Sequence, residues 1–381
     1  MESSAFRAET KLAERSPEAQ RFGLRALLKP LALDMRVRLC GASVVHEAGA
    51  AIVCTGQPGA WKARWTGVLS CGRIWTCPVC SARLRARRLA KAAGAMSAMA
   101  GRWQMVTFTI RHHQGDKLED LMRGLMLSLA RVRRQRAIRA IWTDKVSASI
   151  RSTEVTHGAN GWHPHLHIVL RTKGLTNTEK KALRHAWRAA VTRELGAQRA
   201  PSLANGVAWS RALDATDVDP KRLAQYLFKL GCEIVGTGKA PRVAGSIGSW
   251  ELAALAVTRD PAHWRAWSEF QVATKGRRSV ELDDRAARAV RGLPVSAILG
   301  FGVEVECPQD TRPEPVTREI AITSDELRAM RRAERTDRFA LIRPMIAASQ
   351  AVDPVCAVRA VIDAAVSSYA DSRARDGPAV A

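Results

Sequence analysis

The 381-residue chain lacks most of the features that assign a protein to a membrane, a secretory route or a disulfide scaffold. No run of eighteen apolar residues occurs, which excludes an obvious transmembrane helix. The start of the chain is broken by Arg7, Glu9, Lys11, Glu14 and Arg15, so no secretory apolar region forms there and a cytoplasmic location is expected. Eight cysteines contain one CxxC pair, Cys77 and Cys80, in a chain far too long for a small stapled fold; reduced, metal-binding thiols are expected instead. Tyrosine is scarce, with only Tyr226 and Tyr369. Acidic residues are also few: 36 Asp and Glu against 60 Lys and Arg leave a formal charge of +24. A surface so basic suits a polyanion, and nucleic acid is the first candidate. A high-GC codon bias would explain arginine in place of lysine, but not the shortage of carboxylates.

With 46% hydrophobic residues, the chain can build one large core or two to three modest ones. Five segments are expected: an N-terminal extension (1–35), a cysteine-rich zinc segment with a basic helix (36–100), a central core (101–235), an accessory basic and helical region (236–306), and a linker with C-terminal helices (307–381). Ser81–Met99 reads as an Ala-rich helix with arginines outside, and Trp103–Ile110 as a strand. A helix is predicted over 117–139. Strands follow over 149–156 and 162–171, joined by a turn whose Asn160-Gly161 is a hairpin signal. Helices over 177–195 and from Asp219-Pro220 to about Leu230 complete a β-α-β-β-α order. That order suits an α+β fold, a mostly antiparallel sheet with helices on one face. Further helices are expected over 250–270 and 284–291, then a proline-rich linker over 307–315. Thr323-Ser324-Asp325-Glu326 is a capping box that opens a charged helix.

His163-Pro164-His165-Leu166-His167 carries the most information. Strand alternation puts the three histidines on one face and Trp162, Pro164, Leu166, Ile168 and Leu170 on the other. Three imidazoles on one face make a poor core, since each buried ring needs a hydrogen-bond partner. A two-residue turn at Ala159-Asn160 or at Asn160-Gly161 sets Glu154 opposite His165 or His167, whereas a three-residue loop would flip it away. Two imidazoles and a carboxylate, His165, His167 and Glu154, are a normal catalytic set for a divalent ion.

Tyr226 lies in Arg222-Leu223-Ala224-Gln225-Tyr226-Leu227-Phe228-Lys229-Leu230, where Leu223, Leu227 and Leu230 form an apolar stripe and Lys229 shares a helix side with the phenol. A phenol attacks a phosphodiester at neutral pH only with positive charge nearby, which a lysine one turn away and a divalent ion supply. Near the N-terminus, Cys71, Cys77 and Cys80 offer three thiolates to a tetrahedral zinc that needs one more; no βαβ context surrounds the CxxC to suggest a redox role.

Together, and in this order, these residues resemble the rolling-circle plasmid replication initiators of the HUH endonuclease superfamily, over roughly residues 40–280. Val106-Thr107-Phe108-Thr109-Ile110-Arg111-His112 is similar to the family's first motif strand, His165-Leu166-His167 to its HUH motif with Glu154 as the third ligand, and Tyr226 with Lys229 to its nucleophile motif. The resemblance implies a ferredoxin-like antiparallel sheet with a magnesium or manganese ion on its face. It implies attack by Tyr226 on single-stranded origin DNA to leave a 5′-phosphotyrosine and a free 3′-hydroxyl. It also implies origin duplex DNA, a host helicase and a DNA polymerase as partners. Some relatives carry a glutamate four residues before the tyrosine to activate water at termination; Arg222 stands there here, with Asp217 and Asp219 nearby. The family pattern has a Cys-Gly where Cys40-Gly41 stands, which makes Cys40 the fourth zinc ligand, with Cys54 and His46 as alternatives. The arginine-rich helix after Cys80 is a DNA-backbone contact or a solvated face.

Two other functions compete. A transposase of the same superfamily shares the histidines but commonly has a second tyrosine in the nucleophile helix, and this helix has one. A non-catalytic zinc-containing DNA-binding protein would leave the paired histidines, the aligned glutamate and Tyr-x-x-Lys without a purpose.

Overall fold

A computed structural model describes residues 17–45, 49–99, 101–209, 213–214, 246–291, 316–334 and 337–376. In chain order the first elements are α1 (Pro17–Leu28), α2 (Met35–Arg38), β1 (Ala50–Gly56), β2 (Lys62–Thr66), α3 (Pro78–Ala98) and β3 (Arg102–Phe108). Then come α4 (Leu118–Arg134), α5 (Arg136–Lys145), β4 (Val146–Gly158), β5 (Gly161–Thr172), α6 (Asn177–Leu195), β6 (Val207–Trp209) and β7 (Leu213–Asp214). The remainder are β8 (Ile247–Gly248), α7 (Ser249–Val257), α8 (Pro261–Thr274), β9 (Val280–Leu282), α9 (Asp284–Ala289), β10 (Val316–Ile322), α10 (Ser324–Ala333), α11 (Arg343–Gln350) and α12 (Pro354–Asp376). This is an α+β protein with antiparallel sheets, and no helix among the described residues is long and apolar enough to cross a membrane.

The chain forms two compact units, Met1–Ser81 with Cys307–Ala381, and Ala82–Glu306. In the first, β1 is the middle strand of a sheet ordered β10-β1-β2, with Ile52 facing Ile320 on one side and Trp65 on the other. Ile320 and Ile322 alternate with exposed residues along β10 and join Ile52, Leu327, Met330, Val358 and Ile362 in one core. The expected capping box is formed: Glu326 N–H donates to Thr323 Oγ1 at 3.2 Å and Thr323 N–H to Glu326 Oε2 at 2.7 Å. Residues 316–376 share a core with the cysteine-rich segment, and the boundary between the two units falls within α3, after Ser81. β1–β10 pairing joins residues at least 260 apart in sequence, which no local pattern reveals. The predicted linker over 307–315 lies outside the described residues.

In the second unit the sheet runs β6-β3-β5-β4-β8, with β7 also on β3 and β9 also on β4, every pair antiparallel. On one face, α4 buries Leu118, Leu121, Met122, Leu125, Leu129 and Val132 at helical spacing, and α6 buries Leu183, Trp187 and Val191. Phe108 meets Trp187 with ring centroids 4.9 Å apart, and Trp187 Nε1 donates to the Thr109 carbonyl at 2.8 Å. Gly124 lets α4 and α6 approach: a Cβ there would meet Leu195 Cδ2 at 2.2 Å.

The described helices of the β-α-β-β-α order, α4 and α6, thus share one face, and a helix that precedes that order covers the other. The Ala92, Ala95 and Met96 stripe of α3 packs on the opposite face against Trp103, Ala148, Ile150 and Val169, because small side chains let the helix lie close to the strands. The helix expected over 117–139 is two, interrupted at Gln135, whose ψ of 131° is extended. The one expected over 250–270 breaks before Asp260, whose side chain caps α8 by accepting from His263 N–H at 3.1 Å, with Pro261 in the first turn. The helix expected from Asp219 to Leu230 lies outside the described residues.

Candidate active site and cysteine cluster

The β4–β5 hairpin turns on Ala159-Asn160, with Gly158 paired to Gly161. Gly161 is required there: its φ is +80°, and a Cβ would sit 2.8 Å from the His113 carbonyl oxygen. The two-residue turn sets the register the histidine face needs. Glu154 pairs with His165 and Ser152 with His167.

The Glu154 carboxylate consequently reaches both imidazoles. His165 Nε2 lies 2.8 Å and His167 Nε2 3.1 Å from the same oxygen, Oε2, and the three side chains are 13–27% exposed. Burial alone would raise the Glu154 pKa, but the hydrogen bonds from His165 and His167 overcome it and hold the carboxyl below its usual range. Burial lowers the His167 pKa, against the opposing pull of Glu154. The lowering favours the neutral ring that a metal ligand must have.

One ligand atom from each of Glu154, His165 and His167 lies within 4.8 Å of the others, close enough to share one metal ion. The donor set fits a divalent cation. The carboxylate oxygen that now accepts from two imidazoles is the natural counter-charge, and His165 Nδ1 is buried without a hydrogen-bond partner.

His163, the third histidine of the face, stays outside this group. It stacks on His112 with centroids 4.7 Å apart, and burial lowers its pKa to about 4. His112 Nδ1 in turn lies 3.0 Å from the Asn160 carbonyl. A residue that sequence reading passed over completes the site: Thr107 on β3 pairs with His167, and its Oγ1 lies 2.9 Å from His167 Nδ1. A threonine among β-branched strand residues carries no local sign of that role; only the β3–β5 register shows it.

Tyr226 and Lys229, with Asp217, Asp219 and Arg222, lie outside the described residues. Tyr369 belongs to α12 of the unit built from the two terminal segments, where the Arg332 guanidinium sits 4.5 Å above its ring.

In that unit Cys40, Cys71, Cys77 and Cys80 come together, each no more than 5% exposed. Cys40 Sγ is 3.6 Å from Cys80 Sγ and 3.8 Å from Cys77 Sγ. These separations are far too long for disulfides, whose sulfurs lie about 2.05 Å apart. They match four sulfurs each about 2.3 Å from a central zinc, which tetrahedral geometry spaces about 3.8 Å from one another. The hydrogen bonds shared within the cluster lower the Cys80 pKa, with Ser70 Oγ adding a contact at 3.4 Å, and bring Cys40 down to about 7 through Cys71 and Cys77. The same sharing raises those of Cys71 and Cys77. Of the fourth-ligand alternatives, Cys54 is buried in the β-sheet core of this unit and His46 lies outside the described residues. Gly41 follows Cys40 because its φ is +68° and Arg25 Nη1 fills the space of a Cβ, at 2.3 Å.

Residues 64–188 match the model of a family described as replication protein, a segment that holds Thr107, Glu154, His165, His167 and three of the four clustered cysteines. The chain is 28% identical over 342 residues to a protein rep of Streptomyces lividans, covering 70% of this chain and 73% of that one. It is 38% identical over 143 residues to a neomycin resistance protein of Streptomyces cyanogenus, covering 30% of this chain and 33% of that one. No solved structure matches. The matched segment holds the Glu-His-His site, and the likeness to a family of replication proteins and to a protein rep over 70% of the chain supports a plasmid replication initiator.

Proposed function

We propose that this initiator is a metal-dependent HUH endonuclease that starts rolling-circle replication by nicking and rejoining one strand of origin DNA. The observation that carries the reading is the convergence of Glu154, His165 and His167 on one face of the β4–β5 hairpin. Supporting it, the order β3-α4-α5-β4-β5-α6-β6 and the strand sequence β6-β3-β5-β4 fit a ferredoxin-like nuclease core.

Glu154, His165 and His167 would hold a magnesium or manganese ion, which supplies Lewis-acid polarisation of the scissile phosphate. Tyr226 is the nucleophile: its phenolate oxygen forms a bond to phosphorus while the P–O3′ bond breaks. The 5′ phosphate stays on the tyrosine, and the released 3′ oxygen takes up a proton and primes synthesis. Lys229, three residues on in the sequence, favours the phenolate by its charge. Rejoining is the same displacement in reverse. Cys40, Cys71, Cys77 and Cys80 would bind a structural zinc. The protein works in the cytoplasm on origin duplex and single-stranded DNA, with a host helicase and DNA polymerase extending the nick.

A labelled single-stranded origin oligonucleotide incubated with the protein and a divalent ion should give an SDS-resistant adduct, and Tyr226→Phe, which removes one oxygen, should give none. An adduct on another residue, or cleavage without one, would replace this mechanism by attack of a metal-activated water.

A further inference from the structure

The end of the second unit's sheet away from the hairpin carries another group of residues with phosphate-binding chemistry. Between α5, the start of β4 and α9 lies a cavity of about 380 Å³ lined by Arg133, Arg139, Arg285, Arg288 and Trp142. Asp283 and Asp284 also border it. Asp283 is committed elsewhere: Oδ2 accepts from Ser149 N–H at 2.6 Å and from Ser149 Oγ at 2.9 Å, and Oδ1 accepts from Ala286 N–H at 2.9 Å to cap α9. Arg133 is in the opposite condition. Its Nε is buried with no hydrogen-bond partner, and its guanidinium carbon lies 5.7 Å from the centre of the Trp142 ring. A guanidinium nitrogen removed from water without an acceptor is costly, and an anionic ligand would satisfy it.

A neighbouring cavity of about 420 Å³ shares Thr143, Val146 and Arg285 with the first and adds Arg102, Lys145, Arg171 and Lys173, with Asp144 paired to the two lysines at 3.4 and 3.8 Å. The two make one basic trough. It is not an extension of the metal site: Ser149, in its lining, is five residues from Glu154 along β4, which places it about 17 Å away.

We propose that this trough is a second DNA site, which holds single-stranded DNA with phosphates on its arginines and a base stacked on Trp142. Single-stranded DNA is favoured over duplex because cavities of this size admit nucleotides in single file. A half-buried indole among arginines also suits unpaired bases, whose faces are open for stacking. The inference deepens the proposed function, giving the initiator a grip on the strand remote from the cut, but it does not depend on the tyrosine chemistry.

The test uses the full-length protein without divalent ion and a fluorescent oligo-dT, read by anisotropy across a salt series. Arg139 and Arg288 are exposed, so Arg139→Gln with Arg288→Gln should leave the fold intact. The expected result is a loss of about tenfold in affinity per arginine and a fall of about 1.4 in the slope of log K against log salt. Trp142→Ala should cost roughly tenfold and Trp142→Phe much less. A 5-iododeoxyuridine oligonucleotide should photo-crosslink to the peptide that contains Trp142. Unchanged oligo-dT affinity in the arginine pair, with crosslinks elsewhere, would overturn the proposal. So would a loss confined to duplex binding. If Trp142→Ala fails to fold, the arginine pair and the crosslink decide. Absence of a tyrosine adduct in wild type would refute the nicking mechanism and leave this result standing.

Discussion

Thr107→Val tests how the metal site is oriented. In the structure both imidazoles approach Glu154 Oε2 through Nε2, so each Nε2 carries its proton and His167 Nδ1 accepts from the Thr107 hydroxyl. Ligation of a metal through Nε2 reverses this: the neutral ring must then carry its proton on Nδ1 and donate to Thr107 Oγ1. A hydroxyl serves both states, whereas valine has the same shape and serves neither. Losing a partner of this kind costs 10- to 100-fold in metal affinity, about 1.4–2.7 kcal/mol. The buried Nδ1 left unpaired should lower stability by about 1 kcal/mol, near the low end for a site that is not fully dry. Manganese titrations followed by EPR or calorimetry measure the first quantity and urea unfolding without metal the second. Thr107→Ser should behave nearly as wild type. Wild-type manganese affinity in Thr107→Val, alongside loss of binding in His167→Ala, would show that the Thr107–His167 contact does not orient the ligand.

His165→Ala and His167→Ala should each abolish cleavage while duplex origin binding persists, because the metal serves chemistry and basic surfaces serve affinity; gel-based nicking and shift assays on one preparation separate the two. Protein purified without chelator should contain one zinc per chain by elemental analysis, and Cys77→Ser should not. Structural zinc contributes about 10–16 kcal/mol in small zinc domains, more than most domains have to spare, so chelation should unfold the unit that carries the cysteines, as limited proteolysis would detect. DNA affinity should fall steeply with salt, since the +24 chain displaces counterions from phosphates; a flat response would remove the electrostatic basis for binding.

The sequence by itself determined what depends on local periodicity. Alternation along His163–Leu170 separated imidazoles from apolar residues, a short turn with glycine at Gly161 limited the registers, and both allowed registers put Glu154 on the histidine face. The same short-range logic located the three cysteines after residue 70 and the capping box at Thr323. What it could not decide depends on contacts between distant segments. Only the fold closed the cysteine cluster on Cys40, the expected fourth ligand, because Cys54 stays an open alternative until its strand is placed in a β-sheet core. Only the β3–β5 pairing brought Thr107 to His167, and only β1–β10 pairing joined residues 316–376 to the cysteine-bearing segment. Helix caps and strand faces are set by neighbours within a few residues and leave marks in the sequence. Sheet edges and shared cores are set by which surfaces meet, and chemically similar strands compete for the same edge until the whole chain is packed.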